Sequence, residues 1–195
     1  YLRCMPNMTI MAPKDENELL RMMETAVQHD GPTAIRYPRG AGIGVKLDQN
    51  PKAIPIGKAE VLCEGEDLLI IAIGNSVNEA IKAQEQLKQE NIFSTLINAR
   101  FVKPIDEDLI STYAGKINKI ITVEEHVLDG GFGSAVLETL MSKGVSGFKI
   151  KRIGIRDKFV EHGSQNILRK TYHIDSLAMF FLKYFESRVL QIYPV

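Results

Sequence analysis

Apolar positions along this chain fall into two patterns: short β-branched runs, and longer stretches with apolar residues at helical spacing. Met8–Ala12 is a short apolar run closed by Pro13 and predicts a strand. Asp15, with Glu18 three residues on, has the form of a helix-start capping box with Asp in place of Ser or Thr. Leu19, Leu20, Met22, Met23 and Ala26 then supply a stripe, predicting a helix from about Glu16 to His29. Asp30-Gly31-Pro32 ends it, and Thr33–Arg36 is the next strand. From Gly40 to Pro55 the periodicity lapses into three glycines and two prolines, which reads as a linker. Beyond it, Lys58–Leu62 and Asp67–Ala72 flank the turn Glu64-Gly65-Glu66 in the pattern of a hairpin. Val77–Gln89 reads as a helix, Ser94–Asn98 as a strand, and Asp106–Tyr113 as a helix with Asp106 at its N-cap.

The run Ile120, Ile121, Val123 predicts a buried strand, and a helix over Ala135–Lys143 starts from Ser134. Lys149–Ile153 is a last strand, and Ser164–Lys170 and Asp175–Leu190 are closing helices. Strands alternating with helices of this length predict an α/β fold: a mostly parallel sheet with helices on both faces.

Composition narrows the class without naming it. The chain has 195 residues, 45% hydrophobic and 25% charged, as in an ordinary soluble globular protein with one core or a core plus part of a second. Lys+Arg 24 balances Asp+Glu 24, so no global field draws it to nucleic acid or an anionic membrane. No apolar run approaches the roughly 20 residues that span a bilayer, and no signal-peptide pattern opens the sequence. Cys4 and Cys63 lack metal-ligand spacing and read as inert, half-buried thiols of a reducing compartment. Tyr1-Leu-Arg-Cys-Met-Pro6 reads like the middle of a domain, so the chain is expected to be a fragment.

Candidate chemistry gathers at predicted strand ends. Lys119–Ser134 runs strand, then Glu124-Glu125-His126, then the glycine turn Gly130-Gly131-Phe132-Gly133, then helix. Open α/β sheets bind ligands at that end of their strands. Neighbouring residues of a strand point to opposite faces, so at most one of the two glutamates addresses any one site. They read either as acid/base groups or as a solvated strand end plus a helix-stabilising carboxylate. The glycine run lacks the G-x-G-x-x-G spacing and fits close backbone packing, or an anion at a helix start, better than a nucleotide. Arg36-Tyr37-Pro38-Arg39-Gly40 places two arginines past a strand end, either as an anion clamp or as a solvated turn. Arg100 and Lys103, before Pro104, read as surface charge preceding a helix, and His29, His162 and His173 as surface or structural residues. No serine, cysteine or metal constellation licenses hydrolysis, and no catalytic, cofactor or metal ligand is assigned from residue types.

Taken together, these stretches resemble the C-terminal part of the 1-deoxy-D-xylulose-5-phosphate synthases, thiamine-diphosphate enzymes related to transketolase. The similarity is carried by Tyr1-Leu-Arg3, Met11-Ala-Pro-Lys-Asp-Glu-Asn17, Asp30-Gly-Pro32, Arg36-Tyr-Pro-Arg-Gly40 and Pro55-Ile-Gly-Lys58. It continues through Asn98-Ala-Arg-Phe-Val-Lys-Pro104, Thr122-Val-Glu-Glu125, Gly130-Gly-Phe-Gly-Ser134 and Glu161-His-Gly163. The resemblance implies a remnant of a pyrimidine-binding domain over residues 1–40, a linker over 41–55, a transketolase C-terminal-like domain over 56–190 and a tail over 191–195. It implies a cytoplasmic homodimer that condenses pyruvate with glyceraldehyde 3-phosphate, losing carbon dioxide, for isoprenoid, thiamine and pyridoxal synthesis.

In that family the second arginine of the Arg-Tyr-Pro-Arg-Gly motif binds the aldehyde's phosphate, so the resemblance gives that role to Arg39 and none to Arg36. Thiamine diphosphate and magnesium are the cofactors of the complete enzyme. The family's Gly-Asp-Gly motif, its cofactor-activating glutamate and the histidine upstream of Tyr-Leu-Arg are not in this sequence. The fragment alone is therefore expected neither to bind the cofactor nor to turn over. The competing reading is a non-catalytic structural and dimerisation domain of a transketolase or 2-oxoacid dehydrogenase.

Overall fold

The computed structural model describes residues 1–181; part of the predicted Asp175–Leu190 helix and the 191–195 tail lie outside them. After a 3-10 turn at Leu2–Cys4 come β1 (Thr9–Met11), α1 (Glu16–Gln28) and β2 (Thr33–Ile35). An irregular stretch leads to β3 (Glu60–Cys63), β4 (Leu68–Ala72), α2 (Ser76–Gln89), β5 (Ser94–Asn98) and β6 (Phe101–Lys103). Then follow α3 (Glu107–Lys116), β7 (Lys119–Val127), α4 (Phe132–Ser142), β8 (Lys149–Ile155), α5 (Gln165–Thr171) and α6 (Ser176–Phe181).

The main sheet has the order β3-β5-β4-β7-β8, parallel throughout except for β3. Its centre is β4, Leu-Leu-Ile-Ile-Ala, with all residues buried, as a parallel strand covered on both faces requires. Val77, Ala80, Ala83 and Leu87 of α2, with Ile174 and Met179 from the region of α6, close one face. Ile110 and Ala114 of α3 and Phe132, Val136 and Leu140 of α4 close the other.

The expected hairpin is not formed. β3 pairs antiparallel with β5, while β4 takes parallel partners on both sides, β5 and β7. The physical reason is burial: the all-apolar β4 needs two neighbours, whereas half-exposed Glu60-Val-Leu-Cys suits an edge. The turn at Gly65 instead folds onto β5, where the Gly65 N–H meets Thr95 Oγ1 at 3.0 Å.

A second sheet, β2-β1-β6, joins the start of the chain to its middle. β1 and β2 are parallel; β6 is antiparallel to β1, with Ile10 opposite Lys103 and Met11 opposite Phe101. Met11, Met22, Ile54 and Phe101 form a small core beneath it. The sequence pattern does not predict β6: three residues before a proline carry no legible period. Residues 41–55 contain no helix or strand, yet they are not free. Ile54 is buried with its N–H on Thr25 Oγ1 (2.7 Å), and the Asp48 N–H reaches Asn17 (2.7 Å), so the stretch is strapped along α1.

Candidate functional site

Chain topology singles out one place for a ligand. From β4 the chain crosses to β5 on one side, whereas β7 lies on β4's other side, so the sheet's connections reverse between β4 and β7. A crevice opens at the carboxyl ends of strands at such a point. Here a cleft of about 880 Å³ is lined by Asn75, Asn78, Glu79 and Lys82 from the start of α2 and by Arg39–Ile43. Lys14–Glu16 complete one wall, and Gly163–Asn166 with Arg169 complete another.

Four cations line it, and three are engaged by carboxylates. Lys14 Nζ lies 2.9 Å from Glu60 and 3.3 Å from Glu18. Lys82 is 2.7 Å from Glu79, and Arg169 is 2.7 Å from Glu125. Arg39 is the exception: it is exposed, and among the described residues its guanidinium has no ion-pair or hydrogen-bond partner. Its backbone carbonyl is held, accepting from Gln165 Nε2 at 2.9 Å. An uncommitted planar fork thus stands on the wall of the cleft, the group best suited to bidentate contact with phosphate.

Arg36 does something different. Its Nη2 donates to the Glu125 carbonyl at 3.1 Å, and its Nη1 lies 4.0 Å from Glu125 Oε2. The two arginines of one turn therefore diverge, one tying the turn to the sheet and the other left for the cleft.

The paired glutamates part as strand alternation requires. Glu124 is 1% exposed and accepts the N–H groups of Phe132 (2.7 Å) and Gly133 (2.8 Å), the first donors of α4. It is the helix-stabilising carboxylate of the blander reading. Burial pushes its pKa up, against the pull of the Gly133 and Phe132 N–H groups and of Arg152 and Arg36. The glycine turn is close packing around it: a Cβ on Gly131 would strike Glu124 Oε2 and the Val127 carbonyl, and one on Gly133 would strike Thr122 Oγ1. The anion at this helix start is the protein's own. Ser134, expected to start α4, instead donates its hydroxyl to the Leu128 carbonyl (2.9 Å); Gly131 is the N-cap. A carboxylate from β7 takes over the local cap's work.

Glu125 is not a solvated strand-end residue. It binds Arg169 through Nε at 2.8 Å and Nη2 at 2.7 Å, both side chains being 12% exposed. His126 and His162 are exposed, and His29 lies 3.4 Å from Thr9 Oγ1 at the end of α1. Cys4 is exposed, contrary to the expected half-burial; Cys63 is partly covered, donates to the Ser94 carbonyl at 3.3 Å, and burial raises its pKa.

A second charged cluster has no signature in the sequence. Glu18, with a side chain 3% exposed, accepts from the Lys14 N–H (2.7 Å), Asn98 Nδ2 (2.9 Å) and Arg100 Nε (2.7 Å). Arg100 also reaches Glu60 at 2.9 Å. Arg100, expected to be surface charge, is thus 12% exposed and sits at the seam between α1 and the β5–β6 connection. Asp15 does cap α1, accepting from the Glu18 N–H at 2.7 Å, while the Glu18 carboxylate turns back to the Lys14 N–H. Among the described residues no group of three or more His, Cys, Asp or Glu side chains is arranged to hold a metal ion.

The family model described as the transketolase C-terminal domain matches residues 57–179, more than half of the chain, and the transketolase pyrimidine-binding domain matches 1–43. The chain belongs to the transketolase C-terminal domain family. It is 56% identical over 176 residues to 1-deoxy-D-xylulose-5-phosphate synthase 1 of Geobacter sulfurreducens, covering 90% of this chain and 28% of that protein. The synthase of Halothermothrix orenii is 50% identical over 197 residues, covering 100% of this chain and 31% of that protein. The chain therefore spans under a third of the length of these relatives.

Among solved structures, a split-gene transketolase determined as an inactive β4 tetramer superposes with a TM-score of 0.83 at 28% identity. That match covers 92% of this chain and 58% of that one. A transketolase from Campylobacter jejuni, at 17% identity and TM-score 0.65 over 95% of this chain and 27% of its own, shares the fold. The expected α/β class, a mostly parallel sheet with helices on both faces, is the observed one.

Proposed function

We propose that this chain is the substrate-phosphate and assembly portion of a thiamine-diphosphate-dependent synthase. The complete enzyme condenses pyruvate with glyceraldehyde 3-phosphate to 1-deoxy-D-xylulose 5-phosphate, with loss of carbon dioxide. The reading is supported by relatives of that name at 50–56% identity across most of the chain. The observation that carries the residue assignment is Arg39: it lines the switch-point cleft with its guanidinium uncommitted, beside three cations already paired. A phosphate at that wall meets one free fork, and Arg39 holds it by charge-assisted bonds. On this reading residues 1–40 are the remnant of the pyrimidine-binding domain and 56–190 the C-terminal domain, in a cytoplasmic homodimer.

Thiamine diphosphate, with magnesium, would supply the carbanion chemistry of the complete enzyme. The described residues do not fit a seat for that group. Glu124 is consumed by the start of α4, Glu125 by Arg169, and Glu18 by Lys14 and Arg100. No step on the cofactor is therefore assigned to this chain, and by itself it is proposed to be inactive.

Arg39→Ala in the complete enzyme tests the assignment. It is expected to raise KM for glyceraldehyde 3-phosphate by roughly 10- to 100-fold, the weight of a charge-assisted bond, with KM for pyruvate unchanged. An unchanged KM for the aldehyde refutes the role. The competing reading, a structural domain after the linker, predicts that phosphate-bearing ligands perturb only the amide signals of Tyr1–Gly40; specific binding at Glu124–Ser134 would argue against it.

A further inference from the structure

Arg39 is the last member of a chain of contacts that begins at the carboxyl end of β7. Glu125 Oε1 receives Nε and Nη2 of Arg169 at 2.8 and 2.7 Å. Arg169 Nη2 also donates to Gln165 Oε1, one turn earlier on α5, at 3.1 Å. With its oxygen occupied, the Gln165 amide has its nitrogen turned the other way, and Nε2 donates to the Arg39 carbonyl at 2.9 Å. At the other end of the same turn, Arg36 Nη2 donates to the Glu125 carbonyl at 3.1 Å. Residues Arg36–Arg39 are thus anchored at both ends to one hub, and Pro38 between them fixes its own φ. Close approach is built in: a Cβ on Gly40 would stand 2.9 Å from Gln165 Nε2.

Arg169 and Gln165 both line the cleft, and the polar head of each is bonded within the protein. Arg169 is spent on Glu125 and Gln165, and Gln165 on Arg169 and Arg39. A side chain that faces a ligand cleft while bonded to the backbone of the ligand-binding residue holds that residue in place.

We propose that Gln165, oriented by the Arg169–Glu125 pair, is a positioning residue that sets where Arg39 presents its guanidinium, and so selects the phosphorylated aldehyde over an unphosphorylated one. The inference rests on the reading of Arg39 as the phosphate ligand. It assigns work to α5, whose Gln165 lies 126 positions from Arg39 in sequence and belongs to no motif of its own.

The test is steady-state kinetics of the complete enzyme with glyceraldehyde 3-phosphate and with unphosphorylated D-glyceraldehyde. Gln165→Ala is expected to raise KM for the phosphorylated aldehyde by roughly threefold to tenfold, the weight of one hydrogen bond. kcat, KM for pyruvate and kcat/KM for D-glyceraldehyde are expected to stay as they were. Because Gln165 acts through Arg39, Gln165→Ala added to Arg39→Ala is expected to change nothing further. Glu125→Gln, which keeps the side chain's shape while removing its charge, is expected to give the same pattern.

Three results would overturn the proposal: no effect of Gln165→Ala where Arg39→Ala raises KM, equal losses with both aldehydes, or losses that multiply in the double variant. In each of these the phosphate role of Arg39 still stands. If Arg39→Ala itself leaves KM unchanged, that role falls and the positioning role falls with it.

Discussion

Among the places where charged groups join the segment Tyr1–Gly40 to the rest of the chain, two are built differently. At the seam between α1 and the β5–β6 connection, Glu18, Lys14, Arg100, Glu60 and Asn98 close on one another, with Glu18 and Asn98 buried. At the cleft, Arg36, Glu125, Arg169 and Gln165 form an open chain that ends on a backbone carbonyl and leaves Arg39 unpaired. The first arrangement satisfies its charges internally and has nothing left for a ligand. Its contribution is to fix how two parts of the chain meet, because a buried ion tolerates only the geometry that pairs it. The second leaves a cation unpaired at the edge of water, where pairing it would remove the group proposed to bind phosphate. The same residue types thus close on one another in one place and leave a cation unpaired in the other, and burial and closure of the network decide which.

Removing a charge from the closed network gives the largest expected effect. Glu18→Ala removes the buried carboxylate from the network, leaves Arg100 and Lys14 sharing Glu60 alone, and is expected to destabilise the chain by about 3–5 kcal/mol. Urea unfolding of the chain measures it as a fall in midpoint at constant slope. A loss below about 1 kcal/mol, the surface-pair range, would erase the contrast.

Glu124 lies between the two cases, buried like Glu18 but paired with neutral N–H groups. Glu124→Ala orphans two donors at the start of α4 and is expected to cost about 1–3 kcal/mol, with faster amide exchange at Phe132 and Gly133. If exchange there is unchanged, water or another acceptor has replaced the carboxylate.

The smallest expected effect sharpens the contrast through pH. Burial pushes the Glu60 pKa up, but the hydrogen bond and charge of Lys14, with Arg100 and Asn98, win and hold it below its ordinary 4.5. A lowered folded-state pKa means stability that is present above the ordinary value and lost as pH falls through the folded one. Glu60→Gln is therefore expected to flatten the acid limb of the stability curve below about pH 4.5, with little change in its slope between about pH 6 and 8. An acid limb as steep as before would show that Glu60 takes no part in the closed network.

Elements with a strong hydrophobic period are legible in the sequence. α1, with its stripe and its Asp15 cap, and the buried strands β4, β5 and β7 stand where their patterns put them. Asp106 caps α3 as its position suggests, accepting the Leu109 N–H at 3.3 Å. The Glu124/Glu125 divergence also follows from alternation alone. What escapes a reading of the sequence is contact between distant residues. β6 has three residues and exists because β1 offers it an edge. Arg100 has the look of surface charge because its partners, Glu18 and Glu60, lie far upstream, Glu18 by 82 positions. The hairpin fails because two adjacent strand patterns say nothing of whether a third strand competes for the edge.

At the site the division is similar. Local pattern was enough for the class of fold and for the strand ends where polar groups gather; which arginine to suspect came from the family resemblance that the Arg-Tyr-Pro-Arg-Gly motif carries. Period sets which face is buried, and a proline between arginines sets a stiff turn, so both can be read within a few neighbouring positions. Which charges are spent and which are free depends instead on packing between elements. Glu125 and Arg36 differ from Glu124 and Arg39 by their partners, and those partners come from α4, α5 and β7. Pairing is a matter of a few ångströms in space, while local pattern is a matter of a few residues in sequence. The free guanidinium of Arg39 is defined by the pairs that its neighbours make.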